Sequence, residues 1–395
     1  MRTQHLSRHM DYGPTMAPKP AAARSAYVHV PFCRHRCGYC NFTLVAGRDD
    51  LIDDYLRAIA IELASLGEPR EVDTLFFGGG TPTHLPPDKL RRLIDAARRQ
   101  FPLAAGYEFS VEANPADLDD AMLRALAAGG VNRVSLGGQS FSPDKLKLLE
   151  RDHSPQQLQT AVLAAREKIA SVSLDLIFGV PGESLEIWQA DLAGAIALAP
   201  DHVSTYGLTF ERGTAFWSRL LEGELGRLDE ELERSMYAGA IDALSAAGFE
   251  HYEVSNFARA GHRCRHNEAY WSGASYFAVG PGAARYIDGR REMNHRSTTT
   301  YLKRMLAGQS PVAESETLAP DDRARERLVF GLRRLAGVER AAFAAQTGYE
   351  IDALVREPLA RMIDHGLLED DGQSVRLTRE GLFVSDAIWP NFLRA

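Results

Sequence analysis

Cys33-Arg34-His35-Arg36-Cys37-Gly38-Tyr39-Cys40 follows directly on Tyr27-Val28-His29-Val30-Pro31-Phe32, a β-branched and aromatic run closed by a proline. The chain has 4 cysteines, and three of them fall in this one loop. A disulfide framework scatters even-numbered cysteines along a short secreted chain. A tight triplet in a chain of 395 residues points instead to metal binding. The fourth, Cys264, lies far away and reads as a small apolar residue.

Outward from this loop, short strand-like runs alternate with amphipathic ones. Strands are predicted at Ala26–Pro31, Val72–Phe77, Glu108–Glu112, Arg133–Gly137, Ser171–Phe178 and His202–Leu208. Helices are predicted at Asp53–Leu66, Asp88–Phe101, Asp119–Ala128, Pro155–Lys168 and Ser184–Leu198, with Asp88, Asp119 and Ser184 as capping residues. Such alternation means a parallel sheet with right-handed crossovers. Several strands end in polar or glycine-rich residues: Gly78–Thr81, Glu112–Asn114, Gly137–Gln139, Asp175 and Tyr206. Active sites of parallel α/β folds gather at those carboxyl ends.

The expected fold class is therefore α/β, a partial (β/α)6 TIM-type barrel with a small C-terminal winged-helix-like α+β domain. The expected divisions are a flexible tail over 1–25, the partial barrel over 26–210, an extension over 211–300 and the C-terminal domain over 301–395. The last of these rests on helices near Ala319–Leu335, Glu339–Thr347 and Ile351–His365, then a hairpin over Leu367–Leu377 turning at Asp370-Asp371-Gly372.

Composition excludes several classes. A hydrophobic content of 45% with 25% charged residues is that of a globular protein. No apolar run approaches the roughly 20 residues that cross a bilayer, and the first 25 residues lack a secretory apolar core, so a cytoplasmic location is expected. Net charge is −8, which argues against binding nucleic acid, and the acidic run Glu369–Asp371 gives the C-terminal domain a packing or docking role.

Three thiolates on a short loop can each take one iron of a cubane, leaving a fourth iron free to chelate the amino and carboxylate groups of a methionine-type ligand. The competing reading is a zinc site completed by His29 or His35. Structural zinc usually takes two separated ligand pairs, and no second CxxC occurs in this chain.

The CxxxCxxC loop, the aromatic Phe42 after it and the sixfold βα frame resemble the radical S-adenosylmethionine superfamily. Tyr27–Cys33, Gly78-Gly79-Gly80-Thr81-Pro82-Thr83, Ser110–Pro115, Gly137–Phe141 and Asp175–Gly182 narrow the resemblance. They are similar to the branch that holds oxygen-independent coproporphyrinogen III dehydrogenase and the haem chaperone HemW. The match runs from about Ala26 to the C-terminus. The resemblance implies a [4Fe–4S] cluster on Cys33, Cys37 and Cys40. It also implies S-adenosylmethionine held by Tyr27, Gly79, Gly80, Thr81, Glu112, Gln139, Arg151 and Asp175, with reductive cleavage as the superfamily's reaction. Glycines let backbone approach a ligand closely, and the forked donors of Arg151 suit a carboxylate.

Within the branch, dehydrogenases typically carry a fourth cysteine where this chain has Phe42, and they have a longer N-terminal segment. His266-Asn267-Glu268-Ala269-Tyr270-Trp271 resembles the HNxxYW motif of the chaperone group, which implies haem as a third cofactor with His266 as its ligand. From the residues alone, His266 reads first as a hydrogen-bonded interior histidine, with Tyr270 and Trp271 as core, and only the resemblance turns it toward haem. The resemblance favours a haem chaperone, not an enzyme acting on coproporphyrinogen, with no catalytic residue assigned. Its implied partners are apo-haemoproteins such as membrane respiratory enzymes and a low-potential electron donor, met at the membrane surface. The alternatives are the coproporphyrinogen III dehydrogenase itself and a non-catalytic DNA-binding iron–sulfur protein.

Overall fold

The computed structural model describes residues 22–394. Of the expected N-terminal tail, residues 1–21 lie outside the described residues, and Ser25 already opens the first strand.

Six strands form the frame: β1 (Ser25–Val30), β2 (Val72–Gly79), β3 (Leu103–Ala113), β4 (Arg133–Gln139), β5 (Ser171–Phe178) and β6 (His202–Gly207). Between them run α1 (Ile52–Ser65), α2 (Pro87–Gln100), α3 (Asp120–Ala128), α4 (Pro155–Lys168) and α5 (Leu185–Ala197). Each strand of the frame pairs in parallel with the next, in chain order. Further strands extend the sheet to 12: Tyr276–Val279 pairs in parallel with β1, and antiparallel strands follow at both ends. The order has two edges, so the barrel stays open, as expected of a partial one.

Local chemistry accounts for the element ends. Ser154 and Gln157 form a reciprocal capping box at α4, and the Asp119 and Ser184 side chains cap α3 and α5. Asp88 does not cap α2. That helix begins at Pro87, whose missing N–H costs nothing in a first turn, and Asp88 sits inside the turn. In β3, Leu103 pairs with Val72, but regular pairing resumes only at Glu108 opposite Thr74. The intervening bulge contains Gly106 at φ 69°.

Side-chain alternation divides the sheet into two faces. Ala26, Val28 and Val30 of β1 and Leu75 and Phe77 of β2 are fully buried with the apolar faces of α1 and α2. The opposite face is polar. The register places Tyr27 beside Phe76, Phe76 beside Ser110, Glu112 beside Ser135, Gly137 beside Asp175, and Asp175 beside Ser204. A parallel sheet covered by helices on both faces reads as apolar throughout; here only one face does.

After β6 come α6 (Ala215–Leu221), α7 (Glu230–Ala246) and α8 (Arg265–Trp271). Residues 22–318 make one compact unit and 319–394 another. The second holds helices Pro320–Leu332, Arg340–Thr347 and Ile351–Asp364 and a three-stranded antiparallel sheet, including the hairpin of Leu368–Asp370 with Ser374–Leu377. Pro358 removes a helical donor from Leu354 O, and the Arg325 guanidinium supplies one at 2.5 Å. The acidic hairpin is neutralised within the unit: Arg376 pairs with Glu369 and Asp371, and Arg340 with Asp370.

Candidate functional site

The cysteine loop leaves the carboxyl end of β1 and is held by backbone bonds to the end of β2. Gly80 N–H donates to Val30 O at 2.8 Å and Thr81 N–H to Phe32 O at 2.7 Å. This closeness explains the glycines. A Cβ on Gly79, whose φ is +113°, would lie 2.4 Å from the His29 ring, and one on Gly80 would lie 2.7 Å from Phe32 O. At Gly78 it would meet the Glu112 carboxylate at 2.7 Å. The glycine run thus lets the loop, the β2 end and Glu112 approach one another.

Cys33 Sγ sits 3.3 Å from Thr81 Oγ1. Cys37 Sγ has three neighbours: His35 Nε2 at 3.6 Å, Glu150 O at 3.6 Å and Arg151 Nη1 at 3.7 Å. Burial pushes the Cys33 thiol up to about 12, against the pull of Thr81, and raises Cys40 as well. Thiols of this kind become thiolates when a metal replaces the proton.

Both histidines that would complete a zinc site have other partners. His29 shares Nδ1 with the Tyr27 hydroxyl at 3.1 Å and donates Nε2–H to Thr43 O at 2.7 Å, and burial takes it down to about 4. His35 Nε2 binds the Glu150 carbonyl. Among the described residues no three Cys, His, Asp or Glu side chains gather as a single metal ion requires. A cubane asks for something different, one thiolate at each of several iron corners. Beside the loop, Arg151 Nε is buried without a hydrogen-bond partner, while Nη2 donates to Gly137 O at 2.8 Å. Three thiols on one loop and an unsatisfied guanidinium donor next to them fit a three-cysteine cubane with an anionic ligand at its open corner.

The other predicted residues stand at successive strand ends. Glu112 accepts from Gly79 N–H at 2.9 Å. Burial first, and the nearby charge of Asp175 second, raise it to about 7. Asp175 accepts from Ser135 Oγ at 3.1 and 3.2 Å and is raised by burial. Gln139 adopts φ 63°, which turns the chain sharply at the end of β4. Tyr27 stacks on Phe76, with centroids 6.1 Å apart. Tyr27, Glu112, Gln139, Arg151 and Asp175 therefore share the polar face of the sheet or its carboxyl rim with the cysteine loop.

His266 meets this set at Tyr27, with ring centroids 6.5 Å apart. It packs under the amino-terminal half of the sheet, 1% exposed and stacked 5.1 Å from Phe76. Nδ1 shares a hydrogen bond with Thr74 Oγ1 at 2.9 Å and Nε2 with Tyr270 OH at 2.8 Å. Glu108 accepts from the Arg265 and His266 amides at 2.9 and 3.0 Å, closing the start of α8. This is the interior histidine that the residues alone allowed, and burial takes it down to about 3. Cys264, 3% exposed, is also interior.

Sequence reasoning missed a buried ionic brace. Lys145 Nζ contacts Glu183 and lies 2.9 Å from Asp191 Oδ2. Asp191 also accepts from Ser140 Oγ and from Phe141 N–H at 2.6 Å, and Glu183 from Val180 N–H at 3.0 Å. The brace fixes the loop after Gln139 against the loop after β5. No local pattern marks it, because its partners lie 38 and 46 residues apart.

The chain matches the family model of the radical SAM superfamily over residues 27–192 and that of the HemN C-terminal domain over residues 318–384. It is 35% identical to the heme chaperone HemW of Bacillus subtilis, over 94% of this chain and 99% of that one. With the heme chaperone HemW of Mycobacterium tuberculosis it shares 38% identity, over 95% of this chain and 96% of that one. In fold it is similar to the coproporphyrinogen III oxidase HemN of Escherichia coli, a radical SAM enzyme, with a TM-score of 0.82 and 24% identity over 93% of this chain and 89% of that one.

Proposed function

The chain belongs to the heme chaperone HemW family of the radical SAM superfamily, and from that premise we propose how its residues divide the work. It is a haem chaperone that binds a [4Fe–4S] cluster, S-adenosylmethionine and haem, and delivers haem to haemoproteins. Near-full-length likeness to bacterial haem chaperones carries this reading.

Cys33, Cys37 and Cys40 would hold three corners of the cluster and leave its fourth iron open to the cofactor. When bound, the cluster supplies a low-potential electron and a chelating iron. The remaining work belongs to side chains already described. Arg151, with its unpaired Nε, pairs with the cofactor carboxylate. Glu112, Gln139, Asp175 and Tyr27 accept from and pack against the rest of it, and Gly79, Gly80 and Thr81 hold the cysteine loop at the distance this requires. Residues 26–210 are the cofactor-binding part, 211–300 bring in the HNxxYW segment, and 301–395 contribute docking surface. His266 is the candidate haem ligand, and ligation requires Tyr270 to release Nε2. Membrane respiratory enzymes are the proposed recipients, reached from the cytoplasm at the membrane surface with a low-potential donor as reductant. Among the described residues no helix is long and apolar enough to cross a membrane.

The test is transfer. Full-length protein, reconstituted anaerobically with iron and sulfide and loaded with haem, is mixed with an apo-cytochrome b. Growth of the cytochrome's Soret band supports the reading. Failure to take up haem, or conversion of added coproporphyrinogen III to its divinyl product, overturns it.

A further inference from the structure

Resting on the cluster reading above, we propose that His35 is a positioning residue that donates a hydrogen bond to the Cys37 sulfur and, together with Arg151, sets the cluster's reduction potential. A carbonyl oxygen can only accept, so the contact with Glu150 O means that His35 Nε2 carries its hydrogen. The same nitrogen stands 3.6 Å from Cys37 Sγ. In the free protein the Cys37 thiol also points its own hydrogen at Glu150 O, at 3.6 Å. Bound to iron, the sulfur has no hydrogen to give and becomes an acceptor only. Nε2–H, its one hydrogen shared between the Glu150 carbonyl and the sulfur in a three-centre bond, is then its nearest donor, and Arg151 Nη1 at 3.7 Å is the second.

The ring is held, not loosely placed. Glu150 adopts φ 57°, rare for a residue with a side chain, and this turns its carbonyl toward the loop. The turn it begins is fastened on several sides: Asp152 by Asn114 Nδ2 at 2.9 Å and by Arg34 at 3.6 Å, and His153 by Gly138 O at 2.9 Å. Arg34 in turn pairs with Asp117 at 2.7 Å. The two residues between Cys33 and Arg36 thus clamp the turn that carries Arg151.

Cys37 differs in this from Cys33, which faces the neutral hydroxyl of Thr81. N–H donors on cluster sulfurs stabilise the reduced, more negative form and so raise the potential. Arg151 divides its donors between Cys37 and Gly137 O, whereas the His35 ring nitrogen faces Cys37 and the Glu150 carbonyl beside it.

The experiment reconstitutes full-length parent, His35→Ala and His35→Gln with iron and sulfide, matches their iron content, and measures midpoint potentials by mediated titration. His35→Ala should shift to a more negative potential. His35→Gln, which keeps an N–H at similar reach, should return most of the way to the parent value. An alanine variant with the parent's iron content and the parent's potential overturns the proposal. If His35→Ala loses its cluster, His35→Gln carries the test against His35→Leu under the same titration, and equal potentials in those two overturn it. A parent that forms no cubane at all refutes the cluster reading, a result distinct from either of these.

Discussion

The Gly79 amide donates to Glu112 Oε2 at 2.9 Å, tying the glycine turn that ends β2 to the carboxylate that ends β3. Burial, with the nearby charge of Asp175, outweighs this bond and raises Glu112 to about 7, so its charge changes across the physiological range.

If ionised Glu112 accepts from the cofactor, binding of S-adenosylmethionine should strengthen about tenfold between pH 6 and pH 8, following the fraction ionised around a midpoint of 7. Glu112→Gln should bind weakly with a flat profile, read by equilibrium dialysis. The same group affects stability with a definite sign. Its folded value lies above the ordinary 4.5, so its contribution is complete below that pH and is lost as pH rises through about 7. Denaturation of Glu112→Gln should therefore show a stability gain over the parent that grows across this interval.

Gly79→Ala tests the close approach of the two strand ends. The new Cβ meets the His29 ring at 2.4 Å in a backbone with φ +113°, a conformation that only glycine adopts without strain. A loss of about 2 kcal/mol or more in chemical denaturation is expected, together with poorer cluster retention. Gly67→Ala is the control, since it shares a positive φ but has open space around it.

Lys145→Met leaves Glu183 and Asp191 buried without their cation. Removing one member of such a group typically costs about 3–5 kcal/mol, and urea denaturation should report a loss of that order. Because Asp191 also holds the Ser140 hydroxyl and the Phe141 amide, one and two residues after Gln139, affinity for S-adenosylmethionine should fall even where the variant remains folded.

Much of the frame was legible because each strand begins or ends on a residue with a strong local preference. β5 matched at its carboxyl end because Gly179, Val180, Pro181 and Gly182 stop it abruptly. The cysteine loop and the strand-end polar residues were equally plain, since chemistry-bearing residues cluster there in sequence. What stayed hidden is non-local or conformational. Gln139 and Glu150 take left-handed backbone that their side chains give no hint of, and His35 looked like a spare metal ligand until the Glu150 carbonyl was seen against it. The setting of His266 depends on Thr74, 192 residues earlier.

His266 offers a two-sided prediction. His266→Ala removes a buried ring and strands Thr74 and Tyr270, for about 2–4 kcal/mol of stability, and should weaken haem uptake in the fraction that folds. Tyr270→Phe does the reverse at Nε2 by deleting the hydroxyl that competes with iron, and should tighten uptake several-fold in a Soret titration. Unchanged affinity in both variants would remove His266 as the ligand.

The most direct measurement is anaerobic reconstitution of the parent and of Cys33→Ala/Cys37→Ala/Cys40→Ala, followed by metal analysis and electron paramagnetic resonance of the reduced proteins with and without S-adenosylmethionine. The parent should be brown, with iron and sulfide in [4Fe–4S] proportion and a signal that changes when the cofactor is added; the triple variant should hold neither metal nor colour. A colourless, zinc-loaded parent, or a cubane whose signal ignores the cofactor, would contradict the account.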